Sequence, residues 1–176
     1  MGYTTDFSGE FESNKPFSPE HKAYLKQFAY TRRMARDPKV AETLPDPLRE
    51  AVKLPIGEEG GYYVGTDDND FGQKRDESVL EHNGPPKGQP GLWCQWTPNE
   101  AGTAIEWDGG EKFYEYVAWL EYLIEHFLKP WGYVLNGSVT WQGEESDDRG
   151  TIHVRDNVVQ AVDDVIVSPA PKWAGS

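Results

Sequence analysis

The sequence predicts an α+β fold in which one antiparallel sheet carries two helices on a single face and a long loop is inserted between the two halves. Three observations carry this expectation. Apolar and polar residues alternate in several short runs, apolar residues recur at helical spacing in two longer ones, and the patterns follow each other as β, α, excursion, β, β, α, β, β.

The first strand is predicted over Thr4–Glu12, where Phe7, Gly9 and Phe11 fall on one side and Asp6, Ser8, Glu10 and Glu12 on the other. A helix follows. Ser18 suits the cap, Pro19 the first helical position and Glu20 the dipole, and Ala23, Tyr24, Leu25, Phe28 and Ala29 give an apolar stripe predicted to run to about Arg36. Residues 37–91 hold 7 of the 13 prolines, 8 of the 18 glycines and 12 acids, so they read as a long, partly ordered insertion. A hairpin is expected from LWCQW (92–96) and AIEWD (104–108), because the intervening TPNEAGT carries turn residues. The second helix is predicted over 111–129, with Phe113, Tyr116, Val117, Leu120, Ile124, Phe127 and Leu128 on one stripe, ended by Pro130 and Gly132. Residues 133–143 and 151–159 read as two final strands about the turn 144–150. This element order is that of a split βαβ, ferredoxin-like sheet with one extra strand. A single domain is expected over 1–162, followed by a loose, Pro-rich tail over 163–176.

Composition excludes several classes. The chain has 176 residues, with 17 Lys+Arg against 30 Asp+Glu, a formal net charge of −13. Binding to nucleic-acid backbones draws its affinity from cations that displace counterions, so direct nucleic-acid binding is not expected, nor is an anionic membrane surface. The 7 Trp, 9 Tyr and 7 Phe supply enough apolar surface for a packed core despite a hydrophobic fraction of only 37%. One cysteine, Cys94, allows neither an internal disulfide nor a thiolate-rich zinc cluster. With no export signal and no membrane-length apolar run, a cytoplasmic protein is expected.

The catalytic signatures are thin. His21, His82, His126 and His153 have no partner at metal spacing, Asp67, Asp68 and Asp70 lack the closing Glu of a calcium loop, and GEEGGYYVG lacks the Lys-Ser/Thr ending of a phosphate loop. Glu106 and Asp108 share a strand face, as acid and base would, but 30 acids make such a pair unremarkable as a signal. No catalytic residue, metal or cofactor is therefore expected.

Two features stand out from this background. Residues 20–36 carry Lys22, Lys26, Arg32, Arg33 and Arg36 against Glu20 alone, a +4 segment on a remainder of −17. Basic residues at a helix end also suit the dipole, yet guanidinium pairs hold phosphate or carboxylate oxygens with fork geometry. Six of the seven tryptophans fall between 93 and 141. Alternation places Trp96, Trp107 and Trp141 under the helices with Phe7 and Phe11, and turns Trp93, Gln95, Asn136, Ser138, Thr140 and Gln142 to the other face. The expected ligand site therefore joins Arg32, Arg33 and Arg36 to Tyr62 and Tyr63 of the insertion and to Trp93, Gln95, Asn136 and Gln142. Because 151–159 reads as a long, apolar edge strand, a homodimer that covers it is also expected.

The segments GQPGLWCQW, AIEWDGGEKFYEYVAWLEYLIEHFLKPWGYVLNGSVTWQGE and DRGTIHVRDN, with the opening GYTTDFSGEF and TRRM, closely resemble a family of small, uncharacterised bacteriophage and bacterial proteins. The likeness spans roughly 2–34 and 73–157. What it implies is a context: an accessory, counter-defence protein that acts on the host. Joined to the residues above, the leading expectation is a non-enzymatic protein that binds and sequesters a small anionic, nucleotide-like ligand. The alternatives are an acidic, nucleic-acid-mimicking inhibitor of a host defence protein and a small nucleotide hydrolase.

Overall fold

The computed structural model describes residues 2–66 and 73–164. Strand β1 spans Asp6–Ser13, and helix α1 spans Pro19–Tyr30 with the Ser18 hydroxyl accepting from the His21 N–H. The helix stops nearly two turns earlier than its basic run suggests. Thr31 turns its hydroxyl back onto the Gln27 carbonyl at 2.7 Å, and the chain leaves in extended form as β2, Ala35–Arg36. Arg32, Arg33 and Arg36 therefore stand outside the helix.

The insertion is built rather than loose across its described residues. It contains helices α2 (Pro38–Ala41) and α3 (Pro47–Ala51), a 3-10 turn (Glu58–Gly60) and β3 (Val79–Glu81), which pairs with β2. The aspartates 67, 68 and 70 of the rejected calcium loop lie outside the described residues.

The hairpin forms from β4 (Trp96–Pro98) and β5 (Ala104–Trp107), so Thr97 and Pro98 extend a strand where the sequence suggested a turn. Pro98 belongs on the outermost strand, where a missing N–H leaves no ladder bond unmade. Helix α4 spans Tyr116–Leu123 and runs into a π-helical turn, Ile124–Leu128. The predicted start at 111 fails because Lys112 and Glu115 take left-handed backbone angles, with φ of 60° and 56°.

Strands β6 (Leu135–Gln142), β7 (Arg149–Arg155) and β8 (Val158–Asp163) complete the chain's described part. The single strand expected over 151–159 is divided. Asp156 and Asn157 both have positive φ, 50° and 70°, which makes a tight hairpin turn and folds β8 back on β7. The edge to be covered is thus β8 and not 151–159. The expected tail lies, beyond Asp164, outside the described residues.

The chain is a mixed α/β protein. Its main sheet has the order β4-β5-β1-β6-β7-β8, every neighbouring pair antiparallel. One face is the core. Phe7 and Phe11 of β1, Leu135, Val139 and Trp141 of β6, and Ile152 and Val154 of β7 meet Tyr24, Leu25 and Phe28 of α1 and Trp119, Leu120 and Leu123 of α4 in one cluster. Trp96 and Trp107 join Phe7 with ring centroids 5.4 and 5.3 Å away, so the three strand tryptophans lie where alternation placed them. The indoles of Trp96, Trp107 and Trp141 donate to the Tyr116 carbonyl, Gln95 and Asp148, which settles their polar edge inside an apolar layer. At the sheet centre Gly9 and Gly137 face each other's strands so closely that a Cβ on either would meet a carbonyl oxygen at 2.7 Å.

Opposite the core, the face of β1, β6 and β7 is left uncovered by the described residues. Asp6, Ser8, Glu12, Asn136, Ser138, Thr140, Gln142, Arg149, His153 and Arg155 are exposed on this second face.

Candidate functional site

The structure distributes the nine residues of the expected site over three places. Arg33, Arg36, Tyr62 and Tyr63 come together, but their polar bonds run inward. Arg33 is 2% exposed; its Nη2 donates to the Gly61 and Tyr63 carbonyls at 2.9 and 2.8 Å, and its plane lies 4.2 Å over Phe28. Burial lowers its pKa, and among the described residues no carboxylate pairs with it. Arg36 pairs with Asp76 at 2.9 Å, donates to Ser78 and stacks over the Tyr63 ring. Arg32 donates to the His82 carbonyl and to Asn83. The three guanidinium groups hold the insertion onto the body.

Trp93 is half-buried ahead of β4, and Gln95 is buried, bonded to the Glu111 carbonyl and the Trp107 indole. Gln95 therefore sits at the hairpin's end and not on the open face. Asn136 and Gln142 do lie on that face, where Asn136 braces the Asp156 turn and Gln142 reaches the carbonyls of Gly143 and Glu145.

The place where a small ligand fits is on the other side of α1. Along that helix Ala23, Lys26, Gln27 and Tyr30 recur at i, i+3, i+4 and i+7, a second stripe beside the one that enters the core. With Ala29, Leu48 of α3, Thr97 of β4 and Asp108 they line a mostly apolar groove of about 580 Å³, within the range of small-molecule sites. Its polar groups are few. Lys26 and Tyr30 are exposed, with no hydrogen bond or ion pair on either side chain among the described residues. Asp108 accepts from the Gly110 N–H, and burial raises its carboxyl pKa. Gln27 is committed to the carbonyls of Val64 and Thr66, so it is wall and not ligand.

The sequence signal for this groove is partial. Lys26 belongs to the basic segment, and Tyr30 follows at the helical spacing that puts both on one face. Leu48 and Thr97 arrive through packing alone. A larger hollow of about 830 Å³ lies on the open sheet face over Asn136, Ser138, His153, Arg155, Val158 and Gln160.

Reactive groups are scarce among the described residues. No cluster of His, Cys, Asp and Glu is arranged to hold a metal, and the buried Cys94 thiol has its pKa pushed up to about 12 by desolvation. No helix there is long and apolar enough to cross a membrane.

Two histidines set a pH response instead. His21 stacks on Trp131 at 3.9 Å and is hydrogen-bonded to the Tyr133 hydroxyl; His126 stacks on Tyr122 at 3.9 Å and is hydrogen-bonded to the Tyr62 hydroxyl. Burial lowers both pKa values below the ordinary histidine range. As pH falls through about 6.5 the unfolded chain takes up protons that the folded one refuses, so stability declines on acidification. The midpoint of thermal unfolding is expected to drop between pH 7.5 and pH 5.5, and His21→Gln/His126→Gln to flatten that slope. An unchanged slope in the double variant contradicts this assignment.

The fold and this groove define a mixed α/β protein with a one-sided antiparallel sheet and a ligand-sized cleft at its helix-flanked edge. No protein-family model, curated protein or solved structure matches the chain.

Proposed function

We propose that this is a non-enzymatic accessory protein, acting in the cytoplasm, that binds and sequesters a small anionic, nucleotide-like ligand in the groove between α1 and the β4–β5 hairpin. The observation that carries the reading is the set of groups left over in that groove. Lys26 offers an ammonium that is unpaired among the described residues for a phosphate, the exposed Tyr30 ring offers a stacking surface, and Asp108 offers a carboxylate oxygen to the amino edge of a base. Ala23, Ala29 and Leu48 supply the apolar floor. The resemblance to small, uncharacterised bacteriophage and bacterial proteins supplies the counter-defence context by analogy.

The same reading extends to the fold. The four strands β4-β5-β1-β6, with α1 and α4, are taken as a split βαβ, ferredoxin-like core to which β7 and β8 are appended. Its support is the strand order and the helix-containing connections from β1 to β4 and from β5 to β6.

Titration calorimetry with nucleoside monophosphates, cyclic mononucleotides, cyclic dinucleotides and inorganic phosphate tests the proposal. At least one base-bearing member is expected to bind, with affinity reduced about tenfold or more in Lys26→Ala and in Tyr30→Ala, and unchanged in Arg32→Ala. Silence across the panel, or binding indifferent to both groove variants, rejects it. Turnover of a bound nucleotide would favour the hydrolase reading.

A further inference from the structure

The uncovered face of β1, β6 and β7 is ordered by charge. On β1 this face carries Asp6, Ser8 and Glu12, all exposed, and the half-buried Glu10; on β6 it carries the exposed Gln142, Thr140, Ser138 and Asn136; on β7 it carries the exposed Arg149, His153 and Arg155 and the half-buried Thr151. Register aligns them in rows. Asp6 lies opposite Gln142 and Gln142 opposite Arg149; Ser8, Thr140 and Thr151 form the next row; Glu10, Ser138 and His153 the third. Glu12 lies opposite Asn136, and Arg155 follows Val154, which pairs with Gly137. The face is thus an acidic column, a neutral column and a basic column, with acid and guanidinium at both ends.

Within one chain these charges do not meet among the described residues. The acidic and basic columns are two strand spacings apart, about 10 Å. Among the described residues none of Asp6, Glu10, Glu12, Arg149 and Arg155 forms an ion pair.

We propose that the open face is the interface of a reversible homodimer, two copies packing sheet to sheet about a two-fold axis that runs along β6. That operation lays the acidic β1 column of each copy over the basic β7 column of the other and keeps every row in step. Glu12 then faces the partner's Arg155, Glu10 its His153 and Asp6 its Arg149. The neutral amides and hydroxyls of β6 meet their own copies, as an isologous contact requires. The 830 Å³ hollow over His153 and Arg155 receives the partner copy's Glu10 and Glu12. Five strands of about seven residues cover roughly 550 Å² per copy, which suits a weak, exchanging dimer and not an obligate one. The α1 groove lies at the β4 edge and stays open, so this proposal does not depend on the ligand reading.

The test is the mass of the full chain by sedimentation equilibrium over a wide concentration range. Wild-type protein is expected to show a monomer–dimer equilibrium. Asp6→Arg/Glu12→Arg and Arg149→Glu/Arg155→Glu are each expected to be monomeric, and their equimolar mixture to regain dimer mass as a heterodimer. All four positions are on the surface, and far-UV circular dichroism checks that each variant is folded. Glu12→Arg and Arg155→Glu alone provide the same exchange at one row. A monomer at every concentration overturns the proposal, as does a dimer indifferent to both swaps or a mixture that stays monomeric. Capture of a basic protein by this face without self-association would instead favour the acidic-inhibitor reading.

Discussion

Asp46→Ala is expected to destabilise the protein by about 3–5 kcal/mol, the loss that follows when one member of a buried ion pair is removed. Asp46 is 1% exposed and accepts from Arg49 Nε at 2.5 Å, while its other oxygen accepts from the N–H groups of Val64 and Gly65 at 3.2 and 2.9 Å. One carboxylate therefore ties α3 to the segment that returns beneath α1. Removing it strands the buried Arg49 guanidinium and two backbone donors. The double variant Asp46→Ala/Arg49→Met is expected to be less damaged than Asp46→Ala, because the orphaned charge goes with it. Urea unfolding of the wild type, both single variants and the double variant measures this directly. A double variant as unstable as the sum of the singles would show that the pair acts through something other than its charge.

Arg33→Met is expected to cost about 2–4 kcal/mol and to loosen the insertion selectively. The guanidinium donates to the Tyr63 carbonyl and to the Gln89 amide oxygen and shares the Gly61 carbonyl with Gln89 Nε2, so its loss leaves the first two acceptors without that donor, and each buried acceptor left unpaired costs about 1–3 kcal/mol. Part of that loss is returned, because burial already disfavours the charged arginine and methionine carries no such penalty. Limited proteolysis separates the two effects: cleavage within 57–66 is expected to accelerate well before global unfolding. If Arg33 acted on an outside anion, the variant would lose anion binding with the loop equally protected.

These two substitutions also show why the insertion was hard to read from the sequence. Its prolines and glycines are turn residues, and no periodic stripe announces a core. What orders it is a set of buried polar anchors, Asp46–Arg49, Arg33 on two carbonyls and Arg36–Asp76, whose partners are 3, 28, 30 and 40 residues away. Composition marks such residues as surface groups. A positive cluster read along the chain as a ligand site becomes, once folded, the internal fastening of a loop.

Elsewhere the local chemistry was legible. The two-residue period of β1 and β6 assigned Phe7, Phe11 and Trp141 to the core and Asn136, Ser138, Thr140 and Gln142 to the opposite face, and the structure agrees. Asp156-Asn157 carried a usable hairpin signal inside what read as one strand, since both residues tolerate the left-handed region that a tight turn needs. The start of α4 carried none. Nothing local warns that Lys112 and Glu115 will take positive φ; the aromatic packing of Phe113 against Phe7 and Trp96, at 5.6 and 5.3 Å, accompanies that path.

By itself, then, the sequence determined the strands and helices of the main body, β1, α1, the β4–β5 hairpin, α4 apart from its start, and β6, and which side of each is apolar, because those depend on spacing between near neighbours. Only the tertiary structure decided where the charges act. The acidic, neutral and basic columns exist because β1, β6 and β7 pair in one register, and the α1 groove exists because α3 and β4 flank a second stripe of the helix. Both are products of contacts between residues far apart in the chain, and spacing along a single segment carries no record of them.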